Sequence, residues 1–162
     1  LLEGVMKILM FVGYLAIVSR MKDMRRVFSY HGAEHKTIRC YEAQLPLTVE
    51  NVRPMTRLHP RCGTSFLFVV IIISVLAGSV IQVSNTALRM LLHLALLPVV
   101  VAISYECNRF VGRHDNALTR ALSAPGMWFQ HLTTNEPDDS MIEVGIEALK
   151  LVLPDKEGDD RW

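Results

Sequence analysis

The chain has 162 residues, of which 51% are hydrophobic and 20% charged, and its formal net charge is +1. That balance is more apolar than an ordinary soluble domain, and the basic cluster "SRMKDMRR" is read as a topology and lipid signal rather than as a nucleic-acid site. The apolar excess is concentrated in three blocks rather than spread evenly, so a membrane protein is the class to test.

Residues 1–18 form the first block, with Glu3 and Lys7 paired at i, i+4 near one end. A signal peptide would need a small-residue cleavage site after an apolar centre, and none is visible. With no initiator Met either, the chain reads as the C-terminal part of a longer protein. The stretch "SRMKDMRR" follows and carries four bases. Residues 19–64 hold nine Lys or Arg against four acids. Positive residues accumulate on the cytoplasmic side, so this segment is expected to be cytoplasmic, and its bases to serve topology and anionic-lipid contact.

Inside it lies "YHGAEHKT". Residues 27–44 lack Pro and contain only Gly32 as a weak point, so a helix is expected. On a helix His31 and His35 differ by about 40° and Glu34 lies about 60° to the other side, so all three point into one sector of about 100°. H-x-x-E-H in that geometry lets two imidazoles bind one cation while the carboxylate takes a proton from a water on it, the order used by inverzincin peptidases. The bland alternative is a solvated helix face with ordinary polar contacts. Lys36, Arg57 and Arg61 lie near these residues and could hold an anionic group of a membrane-associated substrate.

"RLHPRCGTSF" then places His59 and Cys62 three apart, with Pro60 suited to a first helical turn. A metal-ligand pair, a Cys-His nucleophile and a capped helix with a packed Cys are all open readings. Residues 65–83 are 19 residues without a charge, about 28 Å of helix, and are expected to cross the bilayer. Residues 88–105 form a second long span, with His93 and a kinking Pro98. The connection 84–87 is short enough to make the two an antiparallel helical hairpin with an external turn. His93 is expected to make an interhelical hydrogen bond; His114 and His131 read as surface or packing residues. Glu106, in "SYE", ends the third block on the cytoplasmic side.

The donor set is therefore His31, His35, His59, Cys62 and Glu106, with Glu34 as general base. Zinc is the first choice for such ligands, and iron or manganese also suit them. If His31, His35, His59 and Cys62 fill four positions, the site is closed and structural. Cys40, Cys62 and Cys107 all fall on the expected cytoplasmic side, where a disulfide framework is not expected.

Residues 106–153 are expected to be a cytoplasmic helical region. Pro137, with Asn135 as cap and Asp138 and Asp139 following, marks a helix start. Ile142, Ile146, Leu149 and Leu153 then give an apolar stripe suited to packing or to lying on the membrane surface. Trp128 and Phe129 suit an interfacial belt. "TTNEPDD" could add acids to the site. Residues 154–162 read as a disordered tail.

The blocks "RRVFSYHGAEHKTIRCYEA", "LTVENVRPMTRLHPRCGTSFL", "SYE" and "PGMWFQHLTTNEPDDSMIEVGIEAL", in this order, resemble the YqhQ-like bacterial membrane proteins, domain of unknown function 1385. The resemblance implies an integral membrane protein with metal-dependent enzyme character and no defined substrate, and additional sequence before the first block. The expectation is thus an all-α polytopic membrane protein of one domain, with about three spans and a site on the cytoplasmic face of the plasma membrane. Its expected activity is zinc-type hydrolysis, with an anionic lipid or another membrane-associated molecule as the candidate substrate. The alternative is a non-catalytic scaffold or assembly factor with a structural metal or polar cluster. Oligomeric state is not legible.

Overall fold

A computed structural model describes residues 2–81, 83–114 and 116–153; the expected tail 154–162 lies outside the described residues. These residues form seven helices and no strand: α1 (Leu2–Val18), α2 (Lys22–Glu42), α3 (Val49–Val52), α4 (Gly63–Val80), α5 (Thr86–Arg113), α6 (Ala117–Thr133) and α7 (Asp139–Val152). By length and composition α4 and α5 are apolar enough to cross a membrane, and the count rises to three if α1 and α2 together make one span. Contacts divide the chain into two compact units, one drawn from Leu1–Ala16 and Pro60–Phe129, the other from Ile17–His59 and Gln130–Trp162.

In the first unit α4 and α5 pack on each other as the expected hairpin. Asn85 caps α5 by accepting from the Leu88 N–H (3.0 Å). Gly78 makes room for His93, whose Nε2 would stand 3.0 Å from a Cβ there. Its Nδ1–H donates to Arg89 O, one turn back on its own helix (2.8 Å), so this bond is intrahelical rather than the interhelical one expected. The α5 helix runs two turns past the expected end at residue 105, because nothing in "ECNRFVGR" breaks a helix. At about 42 Å it is longer than the hydrocarbon layer is thick. Phe129 is buried between Phe11 and Phe68, with ring centroids at 5.7 and 5.3 Å, and so is a core residue rather than part of an interfacial belt; Trp128 beside it is exposed. Cys62, not Pro60, begins α4: its sulfur accepts from the Thr64 N–H, and Pro60 lies outside the helix.

The second unit is built on α2. Ala33 and Cys40 on its inner face meet Ile142 and Ile146 of α7 and Val52 of α3, with Leu47, Val49, Met55 and Met141 around them. Ala33, Thr37 and Cys40 recur at i, i+4, i+7, the one-face spacing of a helix. Small residues let the helices approach: a Cβ on Gly145 would stand 3.0 Å from Thr37 Oγ1. The apolar stripe of α7 is thus a packing surface on α2. Its helix starts later than Asn135 and Pro137 suggested. Asp138 is the cap, accepting from the Met141 N–H (3.0 Å), because Asn135 is occupied elsewhere: its N–H donates to Phe28 O (2.9 Å) and its amide to Arg25 O (3.2 Å).

Candidate metal centre

The H-x-x-E-H residues sit in the middle of α2, as the absence of Pro required, and the helix sorts them by depth. His35 is buried, His31 half-buried and Glu34 exposed. The imidazole centroids of His31 and His35 are 4.3 Å apart, edge to face. A ligating nitrogen of one lies within 4.8 Å of a ligating nitrogen of the other. Two ligands of one tetrahedral zinc stand about 3.4 Å apart, nitrogen to nitrogen.

Both rings are oriented by backbone carbonyls. His31 Nδ1–H donates to Thr133 O (2.8 Å), and His35 Nδ1–H donates to Arg57 O (2.6 Å). A carbonyl only accepts, so each Nδ1 carries the hydrogen and each lone pair is at Nε2. Metal-ligating histidines show this arrangement: the second ring nitrogen is fixed by a carbonyl or carboxylate, which sets tautomer and direction.

The carbonyls that do this belong to the non-helical segment 57–59 and to Thr133, the last residue of α6, and both are clamped. Along residues 57–59 three successive carbonyls are bound by side chains. Arg57 O takes His35, Leu58 O takes Arg39 Nε and Nη2 (3.0 and 2.8 Å), and His59 O takes Gln130 Nε2 (2.6 Å). Gln130 also accepts from the His59 N–H (2.8 Å), so its amide closes on both sides of that residue. The other stretch, residues 133–136, lies along α2. Arg57 Nη1 donates to Thr134 O and to Thr134 Oγ1 (2.8 Å). Glu136 accepts from the buried Lys36 Nζ (2.6 Å) and from Arg57 Nε (3.3 Å). Lys36 also donates to Arg53 O (3.0 Å). Gly32 is required where this stretch crosses, since a Cβ would collide with Asn135 O.

The other expected ligands fall as follows. His59 is buried, its ring 5.9 Å from that of His35, and its Nε2–H donates to Glu42 Oε2 (3.1 Å). Cys62 belongs to the first unit, three residues beyond His59, and is buried with its sulfur 3.1 Å from Thr64 Oγ1. Glu106, also in the first unit, is exposed and paired with Arg109 one turn on (3.5 Å). Arg61 lays its aliphatic stem against Gly112. Glu34 has no hydrogen bond or ion pair among the described residues. Cys40 is a core residue, and burial pushes its thiol above the ordinary value, so it stays a neutral thiol. Of the acids in "TTNEPDD", Glu136 serves Lys36 and Arg57, while Asp139 takes Arg53 in a two-bond pair (3.0 and 2.7 Å) that holds its carboxyl below the usual carboxylate range.

Sequence reasoning missed Arg39, Glu42, Gln130 and Thr133. Arg39 could have been found, being four residues after His35 and therefore on its face. Gln130 and Thr133 act through pairings 71 and 102 residues apart, which no local pattern carries.

No solved structure matches the chain. It is 41% identical over 153 residues, 94% of its length, to the uncharacterized protein YqhQ of Bacillus subtilis (strain 168), and it spans about half, 48%, of that curated relative. Residues 1–155 match the model of the family described as protein of unknown function (DUF1385), and with that coverage the chain belongs to the DUF1385 family.

Proposed function

We propose that this protein is a metal-dependent membrane enzyme, a hydrolase of zinc type, working at the cytoplasmic face of the plasma membrane. The observation that carries the reading is the matched pair His31 and His35, each with Nδ1–H held by a backbone carbonyl and each offering Nε2. His31 and His35 are the proposed pair of donors for a divalent ion, and Cys62 is the third donor proposed from its residue type. Two imidazoles and a thiolate suit zinc, and three protein ligands leave one coordination position for substrate or water. When bound, such an ion lowers the pKa of a coordinated water and polarises a carbonyl or phosphoryl oxygen.

The chain's own groups do the rest. Glu34, one residue before His35 and exposed at the rim, accepts the proton. His59, pinned by Gln130 and paired with Glu42, holds the wall beside His35. Lys36 and Arg57 are occupied by Glu136, so in this reading they fix residues 133–136, and through Thr133 O the His31 ring, and engage an anionic substrate only by releasing Glu136. Arg61 and Glu106 remain candidates for substrate contact and for a further ligand.

Cobalt substitution tests the donor set. A thiolate-to-cobalt absorption band is expected in the wild type and absent from Cys62→Ala; a cobalt-loaded protein without that band removes Cys62 from the set. Glu34→Gln should retain the metal and lose turnover of membrane esters or amides, whereas loss of metal in that variant contradicts its role as base. The burial of His35 and His59 favours a second reading, a closed structural site in a non-catalytic scaffold. That reading predicts a coordinatively saturated ion that added inhibitor-type ligands, such as hydroxamates, leave spectroscopically unchanged.

A further inference from the structure

The first unit contains a cavity of about 500 Å³ walled by α4, α5 and α6, within the range of small-molecule sites. Most of its lining is hydrocarbon, including Val69, Ile72 and Ile73 of α4 and Phe110 and Val111 of α5, and its one charged side chain, Glu106, and its one amide, Asn108, are both on the C-terminal part of α5. From Ser65 to Ile73 the α4 wall rises about 12 Å along the helix. The end bearing Glu106 lies where α5 outruns the hydrocarbon layer, at headgroup level if α4 and α5 cross the bilayer. The neighbouring Glu106–Arg109 pair puts both signs of charge there. Gly126 closes one side of the cavity, because α6 lies so near α4 that a Cβ on it would stand 2.9 Å from Ser65 Cβ.

We infer that this cavity seats one acyl chain of a membrane lipid, with the headgroup at the Glu106 and Asn108 end. The walls favour this occupant: α4 and α5 are apolar enough to cross a membrane, and a mostly hydrocarbon cavity with its charged and amide groups on one part of α5 matches an amphiphile. The inference rests on the membrane reading of α4 and α5 and is independent of the metal reading; if the proposed activity stands, the same cavity names its substrate class as an acyl-chain lipid.

The test is photo-crosslinking in bilayer nanodiscs with phosphatidylethanolamine carrying a diazirine near the end of one acyl chain, followed by peptide mapping. Labels are expected to concentrate on Val69, Ile72 and Ile73 over Leu67, a span residue outside the cavity. Ala121→Trp, which fills the cavity from α6, should reduce the cavity labels about tenfold while the Leu67 label persists; Ala121→Met, a milder filling, should reduce them less. Uniform labelling of α4 that Ala121→Trp does not alter means ordinary annular lipid and overturns the inference. Labelling of Leu67 with none in the wild-type cavity overturns it too, by showing that another helix or a second copy covers the gap. Metal content plays no part in either outcome, so failure here and failure of the metal reading are separable.

Discussion

The two units solve the same problem, keeping helices in place, by different means. In the first unit α4 is apolar all round, α5 is apolar between its charged ends, and few of their side chains are buried: Ser65 on α4, and Val100 and Ser104 on α5. What fixes them is close approach at small residues, Gly78 against His93 and Gly126 against Ser65, with Phe129 stacked between two other rings. In the second unit α2 buries seven residues, among them a lysine and a histidine, and its neighbours are held by side-chain hydrogen bonds to their backbone carbonyls. The lesson is that the apolar hairpin is long and apolar enough to cross a membrane and is held by close approach, whereas α2 is a platform that binds backbone carbonyls and thereby aims two imidazoles.

Stability measurements in detergent should separate these modes. Ile146→Ala empties a site buried against Ala33 and is expected to cost about 3 kcal/mol, while Leu67→Ala on the exposed face of α4 should cost under about 1 kcal/mol. Equal costs would mean that the second unit lacks a tight core. Glycine substitutions should differ in sign. Gly32→Ala must displace Asn135 and should destabilise by about 2 kcal/mol. Gly13→Ala has nothing within 4 Å and gains helix propensity, so it should be neutral or stabilising by up to about 1 kcal/mol.

Within the second unit, ion pairs should follow burial. Lys36→Met removes the buried bonds to Glu136 and Arg53 O and should cost about 1–2 kcal/mol by chemical denaturation. Arg53→Met, at an exposed pair, should leave the midpoint nearly unchanged.

The smallest effect is on pH dependence. Hydrogen bonds from Ser140 and the Met141 N–H hold the Asp138 carboxyl below its ordinary value, and those from Arg53 do the same at Asp139. A carboxyl depressed in the folded state contributes stability that is present above its unfolded pKa and lost as pH falls through the folded value, so the loss belongs below about pH 4. Thermal midpoints of Asp139→Asn should therefore approach those of the wild type on acidification. A difference constant with pH would contradict the linkage.

How much of this was legible follows from the same contrast. The long apolar helices were readable because a run without charges needs no partner to be recognised; Gly63–Val80 sits within three residues of the expected 65–83 at each end. His31, Glu34 and His35 on one helix were readable from the lack of Pro and the 3.6 period. The α7 cap shifted from Asn135 to Asp138 because a distant partner claimed the asparagine. The orientation of the two imidazoles was not readable at all. It depends on Thr133 and Arg57 carbonyls delivered by tertiary docking, and backbone carbonyls have no residue type to betray them. Likewise the basic residues Lys36 and Arg57 resembled an anion site until Glu136, a hundred residues on, was placed against them.

The central claim is that α2 aims His31 and His35 at one ion. Elemental analysis of the detergent-purified protein tests it most directly, run beside His31→Ala, His35→Ala and a Lys150→Ala control whose ion pair with Glu147 lies on the exposed face of α7. The account predicts about one divalent metal per chain in the wild type and control, and a loss of most of it in either histidine variant. Wild-type protein without metal in any preparation, or histidine variants that keep it, would contradict the account.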